Sequence, residues 1–156
     1  GKHEILERIV ELMNETDYAR AEEYEMPETE PDILGETYMN TPLEKIRAYS
    51  MAQFRYWTKD EFPAQFRKML TTEQYRDGEM ARLYQNYLAT GPVEYMAAIF
   101  RSMTDSDDAA MQLALELYGP MHLLYSVYDG AENKGAVYKM LEEHIDRFFR
   151  CAVKIK

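Results

Sequence analysis

The stretch from Asp107 to Asp129 constrains the fold more than any other part of the chain. Its apolar residues are Met111, Leu113, Ala114, Leu115, Leu117, Tyr118, Met121, Leu123, Leu124, Tyr125, Val127 and Tyr128. Wound as a helix, they leave almost no polar face, and such a helix is buried on more than one side. Asp105-Ser106-Asp107-Asp108 supplies its entry, with acids where the helix dipole favours them, and Gly130 supplies its terminator. Pro120 sits inside it, preceded by Gly119. An internal proline removes one hydrogen bond and crowds the carbonyl four residues back, at a cost of about 3 kcal/mol. The sequence therefore predicts a kink between Glu116 and Pro120.

The rest of the chain reads as helices that surround this one. Hydrophobic spacing is helical throughout, with no run of strict alternation, so the fold class is all-α. Ile5, Leu6, Ile9, Leu12 and Met13 make one face of a first helix, with Glu4, Glu7, Arg8, Glu11 and Glu15 opposite. That pattern fades through Tyr18 to Tyr24 and ends before Pro27. Residues 27–41 read as an acidic loop. Thr41-Pro42-Leu43-Glu44 is a capping box, with threonine as the cap and proline at the first helical position. The helix it opens runs to about Thr58, with Leu43, Ile46, Ser50, Phe54 and Trp57 as one stripe and Tyr49, Gln53 and Tyr56 as its flank. Phe62-Pro63 opens a short helix holding Phe66, Met69 and Leu70. Thr71 to Gln74 offers another capping box, and Asp77-Gly78 an interruption before a helix from Glu79 to Leu88. Gly91-Pro92 marks a restart with Val93, Met96, Ala97, Phe100 and Met103 inward. A last helix covers about Lys134 to Ala152. The expectation is a bundle of six to seven helices in a single domain over residues 1–156, a length that suits one domain.

The last helix carries a broad apolar band of Val137, Met140, Leu141, His144, Ile145, Phe148 and Phe149. With the all-round apolar helix before it, this predicts a homodimer in which the two long helices and their symmetry mates form a four-helix interface. The residues assigned to it are Leu113, Leu117, Leu124, Tyr128, Val137, Leu141, His144, Ile145 and Phe148. A two-fold interface is self-complementary, and this one is expected to bury well over about 1,600 Å².

Charge narrows the range of partners. The formal net charge is −10, and residues 1–41 carry 12 acids against 3 bases. There is no basic face to hold a phosphate backbone. The longest unbroken apolar run, Tyr95 to Phe100, falls far short of the ~20 residues a membrane helix needs, so no membrane partner is expected. The first residues read as an amphipathic helix and not as a signal peptide. The single Cys151 cannot form an internal disulfide, which fits a cytoplasmic location, and it reads as an inert residue near a frayed terminus.

His3, His122 and His144 lack the spacing of metal ligands, and no Cys/His cluster, phosphate loop or nucleophile elbow occurs, so no metal, no cofactor and no catalytic residue is assigned. What remains is a set of inward aromatic and polar residues: Phe54, Trp57, Tyr84, Tyr95, Phe100, Tyr118, His122 and Tyr125. A mostly apolar pocket with a few aimed polar groups binds small molecules. For His122, a core histidine bonded to a tyrosine is the default. Two alternatives stay open at this point. One is a helical enzyme with His122 and Tyr118 or Tyr125 as acid and base. The other is an interaction module docking through the acidic residues 22–36.

Several segments resemble one known family. Lys2-His3-Glu4-Ile5-Leu6 resembles the junction in TetR/AcrR-family transcriptional regulators where the DNA-binding head ends and the next helix begins. Phe66-Arg67-Lys68-Met69-Leu70-Thr71-Thr72-Glu73-Gln74-Tyr75-Arg76, Leu117-Tyr118-Gly119-Pro120-Met121-His122-Leu123-Leu124-Tyr125 and Tyr128-Asp129-Gly130 are similar to segments in one branch of it. The resemblance implies a C-terminal effector-binding and dimerisation domain. Its first helix would be the lever to a helix-turn-helix head, and the ligand a small amphipathic or aromatic effector. Residues 1–6 would be the trailing edge of that head, which is missing from this chain, so DNA would be contacted only through the missing part.

Overall fold

The computed structural model describes residues 1–27 and 43–151. Among them are α1 (Lys2–Glu23), α2 (Leu43–Lys59), α3 (Glu61–Glu73), α4 (Gly78–Leu88), α5 (Thr90–Phe100), a 3-10 turn (Arg101–Met103), α6 (Asp107–Gly130) and α7 (Lys134–Cys151), and no strand. No helix among the described residues is long and apolar enough to cross a membrane.

Local chemistry sets the ends. Ser106 caps α6, its Oγ accepting the Ala109 N–H at 3.1 Å. Asp77 caps α4, accepting from the N–H groups of Glu79 and Met80 at 2.9 and 3.2 Å. α1 closes in a Schellman turn, with Met26 N–H bonded to the Ala21 carbonyl at 2.7 Å and Glu25 N–H to that of Glu22 at 3.0 Å. Glu25 fills the left-handed position of that turn at φ 54°, which glycine usually takes.

Thr71 departs from expectation. It does not open a helix but lies in the last turns of α3, where its hydroxyl donates back to the Arg67 carbonyl at 2.7 Å. A threonine inside a helix bonds to the preceding turn instead of capping. Thr41, Pro42 and the acidic loop from residue 28 lie outside the described residues, as does Ala152. α6 continues as one helix across Pro120.

α6 is the axis of the bundle. α5, α7 and α2 all pack on it, while α2 also meets α3 and α7, α3 meets α4, and α4 meets α5. Most of the apolar surface of α6 is thus satisfied inside one chain. Leu117, Leu124, Tyr128, Val137, Leu141, Ile145 and Phe148, assigned by the sequence to a two-fold interface, are buried in this intrachain core. Leu113 is half-buried against it. His144 is half-buried too, and its Nε2–H donates to the Leu117 carbonyl at 2.8 Å, tying α7 to α6 just before Pro120. The apolar residues that these two helices turn outward are others: Leu115, Leu123, Val127 and Met140.

One ion pair joins segments far apart in sequence. The Arg67 guanidinium, 4% exposed, forks onto Asp129 at 2.9 and 2.7 Å, and its Nε–H donates to the Trp57 carbonyl at 2.9 Å. It thereby pins the ends of α2 and α6 to α3, with the bidentate geometry that suits arginine.

α1 is held differently. Among the described residues its backbone is not in the closely packed pairs. It is anchored by buried side chains, mainly Leu6, Met13, Arg20 and Ala21. Ile5 and Leu12, expected on the inner face, are exposed, because the buried line runs from Leu6 through Met13 to Arg20.

Candidate functional site: an aromatic cavity walled by α1

A cavity of about 600 Å³ lies between α1, α2, the α4–α5 corner and α6. That volume is within the range of small-molecule sites. α1 contributes Asn14, Asp17 and Tyr18, and α2 contributes Tyr49, Ser50, Gln53 and Trp57. Both sets sit at helical spacing on one face. Asn86, Tyr87, Gly91, Pro92, Glu94, Tyr95, Met96 and Ala98 line it from α4 and α5, and Leu117, Tyr118, Met121 and Tyr125 from α6. Gly91 is required at the corner, since a Cβ there would lie 1.8 Å from the Asn86 carbonyl oxygen.

The α6 wall is braced from behind. Leu88 ends α4, and its carbonyl finds no donor four residues on, because Pro92 has no N–H. Two side chains of α6 fill that role. The Tyr118 hydroxyl donates to it at 2.6 Å, and His122 Nδ1–H donates to it at 3.1 Å. His122 Nε2 then accepts from the Tyr84 hydroxyl at 3.1 Å. Burial holds the His122 pKa below the usual imidazole value, with the Arg67 charge adding to that against the opposing pull of the Leu88 bond. The ring is therefore neutral with its proton on Nδ1. Phe54 stacks on Tyr125 at 5.2 Å, and the Arg67 guanidinium stands 5.2 Å from the centre of the same ring. Burial raises the phenol pKa of both Tyr118 and Tyr125.

The α1 wall is a polar relay. Asp17 Oδ1 accepts from Arg20 Nη2 at 2.5 Å, and Arg20 Nε–H donates to Gln53 Oε1 at 2.6 Å. Gln53 in turn donates from Nε2 to the Tyr49 hydroxyl at 2.7 Å. The Arg20 guanidinium lies 3.7 Å over the Tyr56 ring. Tyr87 reaches across from α4, its hydroxyl donating to Asn14 Oδ1 at 2.5 Å. Burial raises the Asp17 pKa, and the Arg20 charge and hydrogen bond oppose the rise.

Ser50 completes the site. It is 1% exposed, it lines the cavity, and its Oγ has no hydrogen-bond partner among the described residues. Buried hydroxyls are ordinarily bonded.

Of the residues assigned to a pocket from sequence, Trp57, Tyr95, Tyr118 and Tyr125 line the cavity. Phe54 supports Tyr125 from behind, and Phe100 packs on Phe148 at 5.6 Å, between α5 and α7. Tyr84 and His122 form the brace at Leu88 and do not line the cavity. Both ring nitrogens of His122 are thus hydrogen-bonded, to the Leu88 carbonyl and the Tyr84 hydroxyl and to neither Tyr118 nor Tyr125. The sequence reading missed Asn14, Asp17 and Tyr18. Their one visible signal was a polar trio at i, i+3 and i+4 where the apolar pattern of the first helix fades. Among the described residues no group of His, Cys, Asp and Glu is placed to hold a metal ion. The chain matches no family model, no curated protein and no solved structure.

Proposed function

We propose that this chain is the effector-binding domain of a TetR-like transcriptional regulator, in which a small amphipathic or aromatic molecule enters the cavity and shifts α1. The single observation that carries this reading is the composition of the walls. α1 forms one side of the cavity, and besides its buried anchors it is joined to the bundle by bonds made from cavity-lining side chains: Asn14 to Tyr87, and Asp17 by way of Arg20 to Gln53. A ligand that displaces or replaces those bonds has a different affinity for each position of α1, which is what allosteric coupling requires. In this reading a helix-turn-helix head precedes Lys2, α1 is the lever to it, and DNA is contacted through that head alone.

A homodimer belongs to the same proposal, with a revised contact surface. Leu115, Leu123 and Val127 of α6 and Met140 of α7 face outward. Exposed Gly119 lies between them on α6, with nothing within 4 Å of a Cβ placed on it. A second copy laid on this stripe across a two-fold axis would pair like with like. Sedimentation equilibrium tests it: the chain is expected to be a dimer and Leu123→Glu a monomer, and a monomeric parent chain would remove the idea.

Trp57 is the sole tryptophan and lines the cavity, so its emission reports occupancy directly. Titration with amphipathic aromatic compounds is expected to give a saturable change. Ala98→Phe, which fills part of the cavity, is expected to weaken it. Equal binding by the filled variant would sink the assignment of the site.

A further inference from the structure

Three features of the cavity bear on the kind of molecule it takes. The first is charge. Among the described lining residues there are two carboxylates, Asp17 and Glu94, and no lysine, arginine or histidine. The second is the aromatic surface, made of Trp57 and six tyrosines. The third is where the tyrosine protons go. Tyr87 donates to Asn14 Oδ1, Tyr95 to the Pro27 carbonyl at 2.5 Å, and Tyr118 to the Leu88 carbonyl. The Tyr49 oxygen already accepts from Gln53.

Tyr87, Tyr95 and Tyr118 thus spend their hydroxyl protons on protein acceptors. What these three offer a guest is ring face and oxygen lone pair, both electron-rich. Such a surface repels an anion and attracts a cation, through ring quadrupoles that act most strongly when water is excluded. Arg20 does not line the cavity; it lies behind Asp17 on the face of Tyr56. Its charge offsets part of that of Asp17, which leaves the rings and Glu94 to supply the rest of the attraction. The unpartnered Ser50 Oγ is one buried polar atom positioned for the guest.

We propose that the ligand of this cavity is an organic cation, a protonated amine or quaternary ammonium on an aromatic or branched apolar body. The positive end lies among the tyrosine faces toward Asp17, and a polar atom of the body meets Ser50. The proposal rests on the effector-binding reading above and names the chemical class of the effector.

Three matched probes test it, read by Trp57 emission and by calorimetry on the full chain: a naphthylmethyl-trimethylammonium, its neutral tert-butyl isostere with carbon in place of nitrogen, and naphthylacetate. The cation is expected to bind about tenfold tighter than the isostere, the size of one or two buried cation–π contacts, with the carboxylate weakest. Asp17→Asn is expected to lower cation affinity about fivefold and leave the isostere unchanged. Since Asp17 also partners Arg20, Glu94→Gln at the exposed rim serves as a second variant, expected to lower cation affinity about twofold and less in high salt. Equal binding of cation and isostere, or preference for the carboxylate, overturns the proposal while leaving the cavity a binding site. No binding by any probe overturns both it and the reading it rests on.

Discussion

The two walls of the cavity are built on opposite plans. On the α6 side several supports converge. Leu88 is gripped by both Tyr118 and His122, and Tyr125 lies between Phe54 and Arg67, which also holds Trp57 and Asp129. On the α1 side the bonds at the cavity are single and polar, beside the buried Leu6, Met13 and Ala21, and among the described residues α1 is absent from the closely packed helix pairs. Rigid packing resists a guest, whereas a helix tethered by a few exchangeable bonds can move at low cost. A cavity with one wall of each kind can convert occupancy into displacement of the loose wall.

Mutations that strike each wall test this contrast. The largest effect is expected from Arg67→Met, which leaves Asp129 and the Trp57 carbonyl without their donor. A loss of about 3 kcal/mol in urea unfolding is expected, as for a broken buried pair. A loss near zero would mean that the α6 wall is not pinned there. Next come two tyrosine-to-phenylalanine changes of equal chemistry on opposite walls. Tyr118→Phe removes one of two donors to Leu88 and is expected to cost about 1 kcal/mol, without loosening α1. Tyr87→Phe frees Asn14, which is exposed and can turn to water, and is expected to cost about 0.5 kcal/mol while speeding amide exchange along α1. If Tyr118→Phe loosened α1 more than Tyr87→Phe, the division between walls would fail.

The smallest effect is in pH dependence. The folded state holds the His122 pKa below its ordinary value of 6.5, so the unfolded chain binds the proton more readily. Stability from this residue is present above the unfolded pKa and falls as pH drops through it toward the folded one. His122→Gln is expected to show a shallower loss of thermal midpoint between neutral pH and mildly acid pH than the parent chain. Identical slopes would show that the brace at Leu88 does not need a neutral imidazole.

Much of the fold was legible because it is local. Ser106 caps α6 as its sequence implies, α2 and α7 run close to their expected lengths, and the fold is all-helical. Periodicity marks which residues turn inward, but it does not say toward what. The apolar girdle of α6 read equally well as a dimer seam, and the structure covers most of it with α2, α5 and α7 of the same chain, leaving Leu115, Leu123 and Val127 outward. The site was half legible for the same reason. Trp57 and Tyr118 follow from apolar stripes. Asp17 does not, because a carboxylate among acids looks solvated until its neighbour Arg20, one turn along α1, is joined by Gln53 and Tyr49 from a helix over thirty residues away. The Arg67–Asp129 pair spans 62 residues, although both halves sit in segments that stood out in the sequence. His122 stood out as well, and its role is to close the end of α4 where Pro92 leaves a carbonyl bare.

The proposed coupling requires α1 to answer to what fills the cavity. Amide hydrogen exchange of the full chain, with and without saturating naphthylmethyl-trimethylammonium, reads this directly. Exchange across Ile9 to Arg20 is expected to change by about tenfold, with α6 from Leu117 to Tyr125 unaltered. Protection that changes in α6 and not in α1, with the probe bound, would contradict it.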